Sequence, residues 1–301
     1  MLTVVIIAKN EEKNLPDTIK SIKAQTFKKK FEVLLSDGKS KDRTRELAKE
    51  AGFNVVVQEK LGVSNARNVG WKNAKGNLVF FIEADQILDK DCLKEIDKAF
   101  QDKKVMCARA NVIPITKNWL QKGLYVQIQL ASRRQQVETF PIIYRKKVLE
   151  QVGGYDEHLD FAEDRELPKR VKKAGYVSKY LENAKLWVKP VDNLEKLYKQ
   201  GRWYGRNILR YFKNSRDYAT LGAVLTYASL LPLLILGIIY RPILILFAVP
   251  FALILYYTLR GLFITGSPYA FAMIPIAFVR GTGQLVGMIE SPFKKGGGKV
   301  S

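Results

Sequence analysis

The sequence has 301 residues, of which 47% are apolar and 26% are charged, so it can bury a full core in one or two domains. Fifty Lys and Arg residues against 29 Asp and Glu give a net charge of +21, which predicts attraction to phosphates on nucleic acid, anionic lipid or a phosphorylated substrate. Two cysteines and one histidine, in no metal-binding spacing, exclude a zinc site. We expect Cys92 and Cys107 to be reduced thiols of a cytosolic domain.

The chain up to about residue 217 alternates short β-branched runs with charged amphipathic stretches, which is typical of an α/β domain. No basic segment precedes the first apolar run, so we interpret that run as a strand and not as a signal peptide. Parallel strands are predicted at residues 4–8, 32–36, 54–58 and 78–82, with helices at 15–25 and 42–51.

The C-terminal third has a different character, because residues 218–240 and 242–260 are almost free of charge. Each stretch is long enough to cross a bilayer as a helix, and together they predict a transmembrane hairpin. The alternative is a buried helical pair in a soluble protein. A third apolar segment, at about 262–289, carries a GxxxG pair. Basic residues on both sides of the hairpin should share the cytoplasmic face, which two spans satisfy, so we predict that this third segment is interfacial or re-entrant.

The segment that precedes the hairpin, residues 191–217, is basic and interleaved with aromatic and aliphatic side chains. Such a composition predicts an amphipathic segment that lies on an anionic membrane surface. An ordinary surface helix of the soluble domain is the alternative.

Acidic residues follow three of the predicted strands, namely Glu11 and Glu12, Asp37, and Glu83 and Asp85. In open parallel α/β sheets, ligands bind at the carboxyl ends of the strands. Carboxylates gathered there would repel one another unless a cation were bound, and hard oxygen ligands suit Mg²⁺ or Mn²⁺. The pattern therefore predicts a divalent metal that holds a diphosphate.

Four motifs in order resemble the family 2 glycosyltransferases of GT-A fold: TVVIIAKNEEKNLPDTIKSIKAQTF, FEVLLSDGKSKDRT, GVSNARNVGWKNAKGNLVFFIEADQIL and GGYDEHLDFAEDRELPKRVKKAGY. The resemblance covers roughly residues 1–180. It implies an α/β, Rossmann-like GT-A catalytic domain at 1–190, with a nucleotide-sugar half at 1–110 and an acceptor half at 111–190. The basic segment 191–217 and a C-terminal α-helical membrane region at 218–301 would complete the chain.

The resemblance implies that Ala8, Asn10, and Glu11 or Glu12 line the nucleotide pocket, and that Asp37 contacts the base. The SDGKSKD stretch is also good turn chemistry, so a purely structural Asp37 is the alternative.

Arg67 in NARN is implied to lie near the base or the diphosphate, where a guanidinium would pair with phosphate. A plain surface role is its alternative. Glu83 and Asp85 fall on the family's Asp-x-Asp pair, which is implied to hold the ribose and a divalent Mn or Mg ion. That metal would neutralise the charge that develops on the departing nucleoside diphosphate.

Asp164 matches the acid that acts as catalytic base in inverting members, and Glu163 is implied to orient the acceptor or the base. The chemistry requires one carboxylate to take the proton of the attacking hydroxyl. First-turn acids of the following helix are the structural alternative for this pair.

The sequence departs from the family pattern at several positions. Lys39 stands where Gly or Asn is usual, and Glu83 replaces the usual Asp. The QGRW stretch is one residue shorter than the family's Gln-x-x-Arg-Trp box, so Arg202 and Trp203 are weak candidates for the acceptor site and a processive synthase is disfavoured. The motifs of polyprenyl-phosphate glycosyltransferases are also missing after Asp85, although that activity stays an alternative.

The resulting expectation is a multi-pass membrane protein with a cytoplasmic catalytic domain. It would be a metal-dependent, inverting hexosyl- or N-acetylhexosaminyl-type transferase that uses a UDP- or GDP-sugar and a lipid or lipid-linked acceptor at an anionic membrane. Nucleic acid is not an expected partner, and a homo-oligomer is left open. A non-catalytic membrane protein that binds nucleotide or anionic lipid is the alternative outside enzymes.

Overall fold

The computed structural model describes residues 1–134, 142–159, 162–215 and 218–291. These residues divide into two compact units. Of the described residues, the first unit contains 1–114, 142–159 and 162–189, and the second contains 115–134, 190–215 and 218–291.

The first unit is built around a mixed β-sheet. Within the described ranges, its strands are β1 (Leu2–Ala8), β2 (Phe31–Asp37), β3 (Asn54–Val57), β4 (Leu78–Glu83), β5 (Ile87–Leu88), β6 (Cys107–Pro114), β7 (Ile143–Arg145) and β8 (Ser178–Val188), in the order β3-β2-β1-β4-β7-β6-β8-β5. The four strands from β3 to β4 are parallel, and β7 is antiparallel to both of its neighbours. The four strands predicted from the sequence are confirmed, with ends that move by one or two residues.

The helices, in chain order, are α1 (Leu15–Lys23), α2 (Thr44–Glu50), α3 (Val63–Asn73), α4 (Cys92–Phe100), α5 (Trp119–Arg134), α6 (Lys146–Val152), α7 (Glu163–Lys173), α8 (Leu194–Ser215), α9 (Tyr218–Ile239), α10 (Leu244–Thr265) and α11 (Met273–Glu290). The predicted helices correspond to α1 and α2, and Gly52 follows α2 with a φ of 84°, a left-handed conformation that stops a helix.

Apolar clusters cover both faces of the sheet, as the continuous apolar strands require. On one face, residues of α1 and α4 pack against β1, β2 and β4. On the other face, α3, α6 and α7 pack against the same sheet. Gly70 permits the close approach of α3, because a Cβ at this position would lie 2.3 Å from Cγ1 of Val5 on β1. The sheet is therefore buried on both sides, and its strand ends are free to form a site.

The second unit consists of α5 and the helices from α8 to α11. Over the described residues, three helical segments are long and apolar enough to cross a membrane, namely Tyr218–Ile239, Arg241–Thr265 and Pro268–Glu290. The first two agree with the predicted hairpin, and their presence indicates membrane association. The interfacial or re-entrant placement of the third segment stays a prediction. Residues 115–134, expected within the acceptor half of the catalytic domain, group with these helices instead.

The basic helix α8 packs against α11 so closely that the two backbones are in contact at glycine positions. A Cβ at Gly205 would lie 2.0 Å from the carbonyl oxygen of Gln284, and one at Gly287 would lie 2.0 Å from that of Arg202. Small residues at such a contact let two helix backbones approach closely. The GxxxG pair of the third segment thus lies in a contact with α8, so α8 is packed on protein along one face.

Candidate active site

The carboxyl ends of β1, β2 and β4 lie side by side. The parallel register sets Ala8 opposite Asp37, and Ile7 opposite Glu83. The three acidic strand ends that were singled out in the sequence therefore meet at one edge of the sheet, where parallel α/β folds bind their ligands.

The loop after β1 is held by the loop after β2. Backbone amides of Asn10, Glu11 and Glu12 donate hydrogen bonds to side-chain oxygens of Ser40 (2.9 Å), Thr44 (2.8 Å) and Asp42 (3.1 Å), respectively. Asn10 adopts a left-handed φ of 56°, which asparagine tolerates better than most residues. Side chains of the SDGKSKDRT stretch thus hold the AKNEE loop in place.

The carboxylates of Glu11 and Glu12 also contribute to this loop. Glu11 accepts a hydrogen bond from the side-chain amide of Asn14 at 2.9 Å, and Glu12 accepts one from the backbone of Arg43 at 3.1 Å. Both side chains are half-buried. Their predicted contact with the nucleotide stays a prediction, as does that of Ala8, which is buried at the end of β1.

Asp37 is fully buried at the end of β2. Its Oδ2 accepts a hydrogen bond from the backbone amide of Ser40 at 3.0 Å and lies 3.7 Å from Nε of Arg45. Its Oδ1 is buried and has no hydrogen-bond partner among the described residues. A buried carboxylate oxygen without a donor is costly, so the position suits a ligand that brings an N–H or O–H group. Asp37 thus stabilises the turn through Oδ2, and its Oδ1 is available to accept a hydrogen bond from a ligand.

Lys39 has a left-handed φ of 58°. The family resemblance places Gly or Asn here, and the conformation supplies the physical reason, since a residue with a larger side chain pays roughly 1–2 kcal/mol for it. The Lys39 ammonium donates a hydrogen bond to the carbonyl oxygen of Glu59 at 2.8 Å. That bond helps to hold a conformation which the residue type disfavours.

Arg67 is the centre of the charged groups at this edge. It projects from α3 and is 9% exposed, which overturns the surface alternative. Its guanidinium donates to the carboxylate of Glu163, lies 3.8 Å from Oε1 of Glu83, and stacks over the ring of Tyr155 with 5.2 Å to the centroid. Burial alone would lower the pKa of Arg67, but the neighbouring Glu163, Tyr155, Glu83 and Asp164 raise it above its usual value. Arg67 is therefore a permanent cation shared by several acids.

Glu163 and Asp164 occupy the first turn of α7, directly after Ala162, which has a left-handed φ of 58°. Glu163 is buried and is engaged by Arg67. Burial, and after it the charge of Glu163, raises the pKa of Asp164 to about 6, against the opposing effect of Arg67. A carboxyl whose pKa is raised towards neutrality is suited to accept a proton from an attacking hydroxyl group. The two acids are first-turn residues, and their surroundings also give them different chemistry.

Asn68 fixes the segment that leads into α7, and sequence reasoning missed it. Its side-chain amide donates to the carbonyl oxygen of Tyr155 at 2.8 Å, and its Oδ1 accepts bonds from the Tyr155 amide at 2.8 Å and from the Trp71 indole at 2.9 Å. Gly154 makes room for this clamp, since a Cβ there would lie 2.6 Å from Oδ1 of Asn68. The signal in the sequence was the i, i+3 spacing of Asn68 and Trp71 in NARNVGW.

Glu83 and Asp85 are both half-buried at the end of β4. The Glu83 amide donates to the side-chain oxygen of Gln86 at 3.1 Å, which shapes the turn between the two acids. Across the described part of the chain, no three His, Cys, Asp or Glu side chains are grouped closely enough to hold a metal ion. A metal here would take one or two carboxylates from the protein, and this small set of oxygen donors fits Mg²⁺ or Mn²⁺ that also binds a diphosphate.

Arg202 and Trp203 belong to α8 in the second unit. The guanidinium of Arg202 donates to both carboxylate oxygens of Glu290 on α11, and Arg206 donates to Glu290 at 2.8 Å. Trp203 is 8% exposed. The arginine thus has a clear role in joining two helices, and a role for either residue in binding the acceptor stays a prediction.

Comparison with known proteins gives consistent results. The sequence model described as "Glycosyl transferase family 2" matches residues 3–153, which is half of the chain. The poly-beta-1,6-N-acetyl-D-glucosamine synthase of Staphylococcus aureus is 28% identical over 222 residues, which cover 67% of this chain and 53% of that protein. The chain therefore spans about half the length of this curated relative.

Solved structures of similar fold cover nearly the whole chain. The mannosyltransferase PcManGT of Pyrobaculum calidifontis, in complex with GDP-Man and Mn2+, has a TM-score of 0.58 at 16% identity, with 97% of this chain and 87% of that chain covered. TarS of S. aureus, in complex with UDP-GlcNAc, has a TM-score of 0.52 at 17% identity, with 96% and 90% covered. These likenesses confirm the predicted GT-A fold. From its match to the family model, the chain belongs to glycosyl transferase family 2.

Proposed function

We propose that this protein is a membrane-anchored, metal-dependent, inverting glycosyltransferase. It takes a hexosyl or N-acetylhexosaminyl group from a nucleoside-diphosphate sugar and delivers it to a lipid or lipid-linked acceptor at the cytoplasmic face of the membrane. The observation that carries the proposal is Asp164, a carboxyl with a pKa of about 6 that lies beside Arg67, Glu163 and Glu83. Membership of the family, and relatives named as sugar transferases and synthases, support it.

The donor is a nucleotide sugar with uridine or guanosine as its base. The neighbouring structures contain UDP-GlcNAc in one case and GDP-Man in the other. Asp37 offers the base a buried carboxylate oxygen that accepts no hydrogen bond from any described residue. Both uracil and guanine carry a ring N–H group that could satisfy this acceptor, so the open oxygen supports base recognition without choosing between the two bases.

Asp164 takes the proton of the acceptor. As the acceptor hydroxyl oxygen bonds to the anomeric carbon, the bond from that carbon to the diphosphate oxygen breaks and its electron pair leaves with the diphosphate. The hydroxyl proton passes to a carboxylate oxygen of Asp164. The carboxylate of Glu163 accepts a charge-assisted hydrogen bond from Arg67. Asp164 forms no such ion pair among the described residues, so in this proposal it is the acid that acts as the base.

Asp85 and Glu83 would hold the divalent ion, which supplies neutralisation of negative charge on the leaving nucleoside diphosphate. Glu83 has a second role in this account. Its carboxylate lies 3.8 Å from Arg67, so it links the end of β4 to the residue that orients the first turn of α7. The extra methylene of Glu83, relative to the usual Asp, lets the side chain extend towards this guanidinium.

The helices of the second unit support a location of the acceptor at the membrane. Three segments are apolar enough to span a bilayer among the described residues, and α8 is a basic, amphipathic helix that directly precedes the first of them. Basic amphipathic helices bind anionic membrane surfaces. An acceptor carried by a lipid fits this setting better than a soluble sugar does.

The experiment that tests the proposal compares Asp164→Asn with the wild type in sugar transfer and in donor binding. We expect Asp164→Asn to lower kcat by about 10²- to 10⁴-fold, because the proton acceptor is lost, while the Kd for the donor with Mn²⁺ is unchanged. Asp97→Asn is the matched control, since Asp97 forms an exposed ion pair with Lys29. A wild-type turnover for Asp164→Asn would show that another group is the base.

A further inference from the structure

Arg280 lies within α11, in the third segment that is apolar enough to span a membrane. Its guanidinium donates to the side-chain oxygen of Gln127 on α5 at 3.1 Å and lies 3.5 Å from that of Gln200 on α8. It forms no ion pair with any residue that the structure describes. A charged side chain in such a helix is costly, and it is usually neutralised or faces a binding site.

Two hydrogen-bond donors remain unsatisfied beside this charge. The Nε of Arg280 and the side-chain nitrogen of Gln127 are both buried, and neither has a hydrogen-bond partner in the described part of the chain. Their two residues are already in direct contact through the 3.1 Å bond. One positive charge and two buried N–H donors that have no partner among the described residues suit an anion with several acceptor oxygens.

Other arginines at the contact of α8 with α11 do have an acidic partner, in contrast to Arg280. On α8 and α11, Arg202 and Arg206 share the carboxylate of Glu290. The two arginines of α8 thus have an acidic partner on α11. Among the described residues, Arg280 has only the neutral side-chain amides of Gln127 and Gln200 as hydrogen-bond partners. An arginine in this setting is better explained by a ligand than by the stability of the helices alone.

We propose that Arg280 and Gln127 bind the phosphate group of a membrane lipid. A phosphate offers the planar guanidinium paired acceptor oxygens, and it neutralises the charge. The lipid as the source of the phosphate follows from the setting of Arg280, which lies within a helical segment, Pro268–Glu290, that is long and apolar enough to cross a membrane. Binding at this site requires no sugar donor, so it is independent of the transfer reaction proposed above.

The test is a titration of the full-length protein, delipidated in a neutral detergent, with phosphatidic acid, and native mass spectrometry counts the bound lipids. We expect one tightly held lipid in the wild type. Arg280→Gln should weaken its affinity by about tenfold or more, the loss of a charge-assisted contact. Gln127→Glu should weaken it similarly, although this variant keeps Arg280 and gives it an internal partner that stabilises the fold. Arg260→Gln, which changes an arginine of α10, is the matched control and should bind as the wild type does.

Each outcome of this titration decides the proposal. Inorganic phosphate that displaces the lipid would assign the site to a free phosphate group, whereas retention of the lipid at high phosphate would assign it to the lipid headgroup. Both results support an anion site at Arg280. Equal binding by the wild type, Arg280→Gln and Gln127→Glu would overturn it, as would the same loss in Arg260→Gln, which would indicate general attraction to basic protein.

Discussion

Two arginines, one in each unit, have opposite surroundings. Arg67 is buried in the first unit, where Glu163 and Glu83 lie beside its guanidinium and Asp164 adds a further negative charge. Arg280 in the second unit forms hydrogen bonds only with the side-chain amides of Gln127 and Gln200 among the described residues. Within the part of the chain that the structure describes, the first site has more acids than cations, whereas the second has a cation and no acid.

The difference indicates what each site is expected to bind. An excess of carboxylates is reduced by a divalent cation and by proton uptake, both of which a glycosyltransferase uses. An uncompensated guanidinium is satisfied by an anion. The net charge of +21 conceals this division, since the catalytic edge is acidic within a basic protein.

The largest effect is expected at the acidic site. Asp85→Ala, or removal of divalent ions with a chelator, should abolish sugar transfer, because the charge on the leaving diphosphate is then left without its counter-ion. Transfer from UDP- and GDP-sugars is measured with and without added Mn²⁺. Asp97→Ala, a change at the exposed Lys29 pair, should retain activity. Full activity of Asp85→Ala in the presence of chelator would show that sugar transfer does not require a metal ion.

Replacing each arginine by methionine tests the comparison itself. Arg67→Met leaves Glu163 and Glu83 without their shared cation, so we expect it to cost about 3–5 kcal/mol of stability. Arg280→Met deprives no acid among the described residues of a partner, and the glutamine oxygens that lose their donor should cost about 1–2 kcal/mol in lipid-free detergent, less than the loss of Arg67. The two Tm values, measured side by side, give the ranking. Arg67→Met with Glu163→Gln should recover part of the loss, and an equal cost at both arginines would contradict the comparison.

Asp164 should make stability depend on pH. Its pKa is raised from 3.8 to about 6 in the folded protein, so its contribution to stability is fully present below about pH 4 and is lost as the pH rises through 6. Asp164→Asn carries no charge and avoids this loss. We therefore expect the free energy of unfolding of the variant, relative to the wild type, to increase by about 1.3 kcal/mol between pH 5 and 7, as part of a total of about 3 kcal/mol between pH 3 and 7, and the Tm difference to follow it. A difference in Tm that is constant over this range would argue against a raised pKa.

The smallest effect is expected at the contact of α8 with α11. Gly205→Ala places a Cβ 2.0 Å from the carbonyl oxygen of Gln284, which should separate the helices and cost about 1–3 kcal/mol. Gly222→Ala on α9 is the matched control, because a Cβ there meets no atom within 4 Å. Thermal unfolding of both variants measures the difference. If Gly205→Ala were as stable as Gly222→Ala, α8 would not be packed this closely on α11.

The sequence was sufficient to predict the parallel strands and the position of the acids, since both depend on local patterns. Strand β4 is a continuous apolar run, and Glu83 follows from where that run ends. The membrane hairpin could also be predicted from local features, because the length of a segment and its lack of charge are enough to indicate a span. The four motifs, in their order along the chain, were likewise enough to indicate the family.

The contacts between distant parts of the chain were not predictable in this way. Arg67 pairs with Glu163 across 96 residues, and the clamp of Asn68 on Tyr155 spans 87. The approach of Gly205 to Gln284 likewise joins two helices far apart in sequence. No local periodicity encodes such pairs. They depend on the register in which the elements pack, and only the burial seen in the structure excluded a surface role for Arg67.

The most direct test of the account is the pH dependence of kcat at saturating donor and acceptor. The catalytic base must be ionised, and Asp164 has a pKa of about 6, so turnover should fall as the pH is lowered through about 6 and level off above it. Asp164→Asn should show neither the activity nor this acid limb. A wild-type profile that is flat from pH 5 to 8, or an Asp164→Asn profile with the same limb, would contradict the assignment of Asp164 as the base.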